Sequence, residues 1–374
     1  MKKKVLSVLL VAAMAVSLAA GCGQTEKKDG GNASQESSVQ EAENAGKSED
    51  ELWKEEPAYG RTLVITGGAA NCVSAVVVAD ILGFMEEEGL DVEVQKIGST
   101  EAMNAVATGK ADFVTSHISQ MTVPIINGLG LKMVGSAMTG CQSLYVLNDS
   151  PYQTTKDLVG KKVNIASGTG SQDHNIVLRF MQHDGLQASD YQFVTTELSA
   201  VVQAMQNGEI DASLMGDMFA AKFVQQGILR PIRSLTTDED FKDEPCCSFA
   251  VNADFLEKNP ITVKKMVRAA AKASAWIDSH TEQSVQLMLD HGIMSGDDIE
   301  SLNQIQGSFD WTVTQAKTEE TLKLIIEEYK DLGLIDKSKD SAELLDTIWD
   351  GSVLSDDELE QVWEEGRNFE ATSW

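Results

Sequence analysis

From Arg61 onward the chain repeats one unit: a short β-rich run, a glycine-bearing break and a segment of helical period. Strands separated by helices of this length cannot pair as hairpins, so they predict βαβ units and a parallel sheet. Thr62–Thr66 is such a run, closed by Gly67-Gly68, and Val73–Met85 is helical in period. Asp91–Gln95 alternates apolar and polar residues, as a half-buried strand does. Ser99-Thr100 then caps a helix over Glu101–Ala107, Gly109 lies just past its end, and Asp112–Thr115 is the next strand. A second set begins near Tyr152. Strands are expected over Lys161–Ala166, Tyr191–Thr195 and Asp211–Met215, and helices over Gln172–His183, Ala200–Met205 and Asp217–Gln226. The stretches AMNAVATGKADF (102–113) and VQAMQNGEIDAS (202–213) run alike: helix, break, glycine, charged residue, small or apolar residue, aspartate, strand. Two halves thus share one local grammar. After the strand Ser248–Val251 the chain turns mostly helical. Asn259-Pro260 opens a helix to about Asp278, and the acidic segment Ser341–Trp374 is expected to pack Leu344, Leu345, Ile348 and Trp363 on the body.

The first residues read as a processing signal. Lys2, Lys3 and Lys4 precede an apolar run, Val5–Ala20, too short for a stable span, and Leu18-Ala-Ala-Gly-Cys22 follows. This resembles the lipobox of bacterial lipoproteins, with Leu18 one position earlier than the common pattern, which implies lipidation at Cys22. Residues 23–57 are rich in Gly, Ser, Gln, Glu and Lys, and hold too little apolar surface to offset ordering, so a disordered tether is expected. The whole chain carries 58 acidic and 30 basic side chains, net −28. Such a surface repels phosphates and excludes nonspecific nucleic-acid binding.

Five segments fall in one order: ADILGFMEEEGLDVEV (79–94), AVATGKADF (105–113), TTKDLVGKKVNIASGTGS (154–171), MQNGEIDAS (205–213) and ADFLEKNPITVKKMVRAAAKA (253–273). Together they are similar to the nitrate/sulfonate/taurine and thiamine-precursor class of substrate-binding proteins of ABC importers. The resemblance covers about residues 60–330. It implies an α/β fold of the two-lobe periplasmic-binding-protein type (type II), with two hinge crossings and here a helical C-terminal extension. The crossings would be Leu144–Asn148 and Ser248–Asn252. The expected division is 1–21 signal peptide, 22–59 lipidated cysteine and tether, 60–147 with 246–374 the first lobe, and 148–245 the second. A monomer anchored by lipid outside the cytoplasmic membrane would deliver a small molecule to a permease and its ATPase, without chemistry or cofactor.

In open α/β sheets ligands bind beyond the carboxyl ends of strands. That rule selects Asn71, Ser74, Thr100, Glu101, Ser116 and His117 in the first lobe. In the second it selects Thr169, Ser171, Asp173, Glu197 and Asp217. Free N–H groups at helix starts there suit a carbonyl or anionic oxygen. The same loops hold Glu101, Asp173, Glu197 and Asp217 and no Lys or Arg. A carboxylate facing an anion at about 4 Å costs about 4 kcal/mol at an effective dielectric of about 20. A neutral or cationic ligand, such as a nitrogen heterocycle or an amine, is therefore expected over an anion. All six Trp lie outside these loops, which disfavours a saccharide.

Cysteines 22, 72, 141, 246 and 247 show no CxxC, and neither His117 nor His174 has a spaced partner, so no metal site is expected. Cys246-Cys247-Ser248-Phe249 resembles part of the cysteine cluster of fungal thiamine-precursor synthases of this fold, although that motif is longer. Buried structural thiols are the expected reading. Two alternatives stay open. One is a pyrimidine-precursor synthase using Cys246, Cys247, His117 or His174; the other is a receptor feeding a sensor kinase.

Overall fold

The computed structural model describes residues 46–67, 71–296, 298–372 and 374. The signal segment, Cys22 and the tether up to residue 45 lie outside the described residues. Among the described residues, ten strands form two five-stranded sheets. They are β1 (Leu63–Thr66), β2 (Val92–Gln95), β3 (Phe113–His117), β4 (Leu131–Thr139), β5 (Gln142–Leu147), β6 (Lys162–Asn164), β7 (Gln192–Val194), β8 (Ala212–Gly216), β9 (Leu229–Ser234) and β10 (Pro245–Asn252). The first sheet runs β2-β1-β3-β10-β4 and the second β7-β6-β8-β5-β9. In each, three parallel strands meet an antiparallel fourth, β10 in the first and β5 in the second. The two similar sequence stretches lead into equivalent strands, β3 and β8, so the shared grammar is a shared topology.

The chain leaves the first sheet at Gly140-Cys141 and returns through residues 235–244. Leu144–Asn148, expected to cross between the lobes, lies instead almost wholly within β5, which pairs with β8 and β9. Between Leu131 and Leu147 the chain passes from β4 to β5 at Gly140-Cys141, and that break is the crossing. Gly140 has φ +73°, and a Cβ there would stand 2.9 Å from Thr236 Oγ1 and 3.1 Å from the Phe309 ring.

The expected tether is also shorter than its composition suggested. Glu49–Trp53 is helical and residues 53–58 dock on the helix Pro260–Ser279. Trp53 Nε1 donates to Thr262 Oγ1 at 3.0 Å, and Lys265 lies over the Trp53 ring at 4.2 Å. Glu56 accepts from the N–H groups of Ile261 (2.6 Å) and Thr262 (2.8 Å), satisfying donors that a helix start leaves unpaired. One aromatic anchor and one well-placed carboxylate thus order a stretch too polar to form a core of its own.

The helix Pro260–Ser279 is buried along most of its length, and the helix Asp356–Arg367 lies against it. Gly366 allows that approach, since a Cβ there would fall 2.3 Å from Lys272 O. Leu344, Leu345, Ile348 and Trp363 are all buried, as expected for a C-terminal segment packed on the body. Each such side chain contributes roughly 1.5–3 kcal/mol.

The lobes are clasped by buried charge. The helix Gln172–His183 of the second lobe faces the helices Ile118–Ile126 and Gln315–Asp331 of the first. Arg179 donates to Glu328 through Nε and to Glu244 at 2.8 and 3.2 Å. His183 bridges Glu328 (2.7 Å) and Asp240 (2.9 Å), and Asn175 Nδ2 donates to Ser119 O at 2.9 Å. The Glu328 hydrogen bond raises the His183 pKa, against the lowering effect of burial.

Two tests follow from this clasp. Arg179→Met leaves Glu244 without a cation and Glu328 with His183 alone, and should cost about 3–5 kcal/mol in urea unfolding. His183, raised in the fold, contributes fully below its unfolded pKa and loses that contribution as pH rises through its folded value. The stability advantage of wild type over His183→Gln, about 1 kcal/mol or less at this partly exposed site, should therefore be full below about pH 6.5 and shrink as pH rises above it. Thermal melts on both sides of that pH check it.

Candidate functional site

The carboxyl ends of β1, β3 and β4 and the start of β10 meet at one edge of the first sheet, where both crossings pass. Four cysteines and a histidine converge there. Cys72 sits in the turn Asn71–Val73 after β1, His117 ends β3, Cys141 lies in the first crossing, and Cys246 and Cys247 begin β10. All five are buried. His117 Nδ1 is 3.4 Å from Cys246 Sγ, 3.6 Å from Cys247 Sγ and 4.0 Å from Cys141 Sγ. Cys141 Sγ and Cys246 Sγ are 2.9 Å apart as free thiols. The donor atoms of Cys72, His117, Cys141 and Cys247 all lie within 4.8 Å of one another.

Local backbone explains how neighbours in sequence reach one point. Successive residues of a regular strand face opposite sides. The β10–β4 register shifts on both sides of Cys247, and a bulge of this kind re-aims a side chain so that both vicinal thiols reach His117. Cys141 has φ +92°, the one non-glycine residue at positive φ among the described residues. Such strain persists only where the surroundings hold it. Here Thr236 Oγ1 accepts from Cys141 N (3.1 Å), and Cys141 O accepts from Asp217 N (2.9 Å).

Hydrogen bonds from Cys141 and Cys247 hold the thiols of Cys72 and Cys246 well below their ordinary pKa, whereas burial pushes Cys141 and Cys247 up. Burial alone would lower His117; the negative sulfurs of Cys246 and Cys72 raise it to about 10. The lowered thiols of Cys72 and Cys246 thus face the raised imidazole of His117, with Cys141 and Cys247 donating to them. Cys72, His117, Cys141 and Cys247 offer the ligand set of a thiol-rich metal site. Sequence spacing had pointed to no metal site and to inert thiols. The structure brings four possible ligands together from four separate segments, and spacing rules see only ligands close in sequence.

The other expected residues are distributed around the cleft. Asn71 adjoins Cys72 in the same turn. Ser74 is buried, donating to Met288 Sδ at 3.7 Å. Ser116 Oγ lies 2.7 Å from Ser99 Oγ, and Thr100 Oγ1 accepts from Gln120 at 3.0 Å. Thr169, Glu101 and Glu197 are exposed. Asp173 closes its own loop, accepting from Ser167 N (2.9 Å) and from Ser171, which also donates to Gly168 O. Asp217 is buried, accepting from Tyr145 (2.7 Å) and Thr236 (2.5 Å); burial raises its carboxyl. It borders a cavity of about 390 Å³ lined also by Ser143, Ser234, Gln304 and Ile305. His174 stays apart, accepting from Gly170 N at 3.2 Å, and its pKa is lowered by burial. Among the expected ligand-binding residues whose side chains are described, His117 alone reaches the cluster, joined there by Cys246 and Cys247 of the synthase alternative. Cys72 and Cys141 were legible in part: each follows a strand's carboxyl end.

The profile of the family described as NMT1/THI5 like matches residues 71–284. The chain is 28% identical over 145 residues to a putative aliphatic sulfonates-binding protein of Escherichia coli, covering 39% of this chain and 44% of that one. It is 21% identical over 217 residues to a 4-amino-5-hydroxymethyl-2-methylpyrimidine phosphate synthase of Saccharomyces cerevisiae, covering 54% and 62%. The matches thus span under half of the first relative and about three-fifths of the second. In fold it is similar to the alkanesulfonate-binding protein SsuA of Xanthomonas axonopodis pv. citri bound to MOPS (TM-score 0.63, 16% identity, 77% of this chain and 98% of that one). The fold is that of periplasmic binding proteins, as expected. No helix of the described residues is long and apolar enough to cross a membrane.

The crossing offers a direct test of the geometry that assembles the cluster. Gly140→Ala places a methyl in a left-handed position against Thr236 and Phe309 and should cost about 1–3 kcal/mol in equilibrium unfolding. Gly227→Ala, at φ +68° with nothing within 4 Å, should cost less, isolating the packing component.

Proposed function

Since the chain belongs to the NMT1/THI5-like family, we propose that it is an extracytoplasmic solute receptor, which captures a small molecule between its lobes and delivers it to an ABC permease and ATPase. One observation carries this reading: two sheets of equivalent topology are joined by two crossings that meet beside a buried group of reactive side chains. Rotation about Gly140-Cys141 and residues 235–244 would open the seam, and closure would bury whatever the cleft holds. The role needs no chemistry. The relative's name speaks of sulfonates, but the receptor proposed here takes a neutral or cationic molecule. Asp173 and Asp217 are buried beside the cleft, and the buried Arg179 guanidinium is already neutralised by Glu244 and Glu328. A lipid on Cys22 would keep the monomer at the outer face of the cytoplasmic membrane.

The thiol–imidazole cluster, with the match to a pyrimidine phosphate synthase, favours one second reading, an enzyme of the same fold. Small-angle scattering and thermal shift against alkanesulfonates, nitrate, amines, nitrogen heterocycles and metal ions separate the two. A receptor contracts and gains stability with one class while leaving that ligand chemically unchanged. Stabilisation by sulfonates or nitrate alone would overturn the charge preference. Conversion of a bound heterocycle would overturn the receptor.

A further inference from the structure

We propose that the molecule carried in the cleft is a thiophilic metal ion of the Zn(II) or Cu(I) kind, bound by Cys72, His117, Cys141 and Cys247 with Cys246 alongside. This rests on the receptor reading above and names its cargo. The donor set is three sulfurs and one imidazole nitrogen, with no carboxylate among them. Soft thiolates and imidazole select zinc and copper, whereas magnesium and calcium take oxygen ligands.

The spacing suits a single ion. A tetrahedral centre at about 2.3 Å from sulfur and about 2.0 Å from nitrogen separates its ligands by roughly 3.5–3.8 Å. The distances from His117 Nδ1 to Cys247 and Cys141 Sγ are 3.6 and 4.0 Å, the first within that range and the second just above it. The Cys72 sulfur lies within 4.8 Å of the other donors, so a small inward shift completes the shell.

Position distinguishes cargo from a structural staple. Cys72 and His117 stand at strand ends of the first lobe, Cys141 lies in one crossing, and Cys247 lies where the other crossing enters β10. An ion held by all four links the first lobe to both segments that must move for the lobes to part. Its binding is therefore coupled to closure. Cys246 is a fifth donor, 2.9 Å from Cys141 Sγ and 3.4 Å from His117 Nδ1. It faces a cavity of about 20 Å³ lined by Ile118, Ser119, Ile176 and Arg179 from both sides of the seam. A spare thiol on that side gives an arriving or departing ion a ligand to exchange through.

The test uses the full chain, reduced and stripped by chelator, titrated with Zn(II), Cu(I) and Cd(II) against a chromophoric competitor. One ion per chain should bind, with a thiolate-to-cadmium charge-transfer band. Since even outer-shell changes cost 10–100-fold in affinity, Cys141→Ser, Cys247→Ser and His117→Gln should each weaken binding by about 100-fold or more. Circular dichroism and melting of each metal-free variant show whether it folds; the wild-type stoichiometry and affinity stand independently of the variants. Labelled zinc should exchange into preloaded protein within minutes, and scattering should show contraction on loading. Absence of binding, or binding unmoved in folded Cys141→Ser and Cys247→Ser proteins, overturns the site. Tight binding without exchange or contraction makes the ion a staple and overturns it as cargo. If an organic solute contracts the protein while metals do not bind, the receptor stands and the metal inference fails. If neither contracts it, the receptor reading itself fails.

Discussion

Two crossings between the lobes pass through one small solvent-excluded volume, and the rest of the molecule is arranged around that constraint. Segments packed so closely cannot leave polar groups to water, so whatever they carry must pair internally. Gly140 permits the turn, Cys141 is held at positive φ, and Thr236 and Asp217 take up its backbone groups. The bulge at the start of β10 turns both vicinal thiols toward His117. The cluster is thus a product of the topology, brought together by the two places where the chain changes sheets.

The seam around it is held by paired buried charges. Arg179 binds a carboxylate on the first lobe and another on the second crossing, with His183 extending the pairing to Asp240. Buried ion pairs are weak sources of net stability, because desolvation offsets most of the attraction, but they penalise a mispaired state heavily. In the receptor proposed above, that would suit an interface with one closed geometry whose groups regain water on opening. The first lobe's core, by contrast, is covered by the C-terminal helices and by residues 53–58, away from the seam.

The alternation of strand and helix was legible because burial on both sheet faces leaves a strong periodic trace. The shared stretches 102–113 and 202–213 marked equivalent strands correctly. The sites that escaped sequence reasoning are those where long-range contacts decide. Leu144–Asn148 belongs to β5 because of its partners β8 and β9, and nothing local in its residues says so. Residues 49–58 read as tether by composition, yet Trp53 and Glu56 find a helix more than two hundred positions away. His117 was found because a strand end is a local feature. Cys72 and Cys141 were not grouped with it, because only the fold makes them neighbours, and Cys246 and Cys247 stood beside it only in the synthase alternative.

The central claim is that this convergence is a ligand shell. X-ray absorption at the zinc edge, on the reduced full-length protein loaded with one equivalent, tests it most directly. The account predicts mainly sulfur scatterers at about 2.3 Å with one imidazole nitrogen at about 2.0 Å. A shell of oxygen alone, or of several imidazoles without sulfur, would place the metal elsewhere and contradict it.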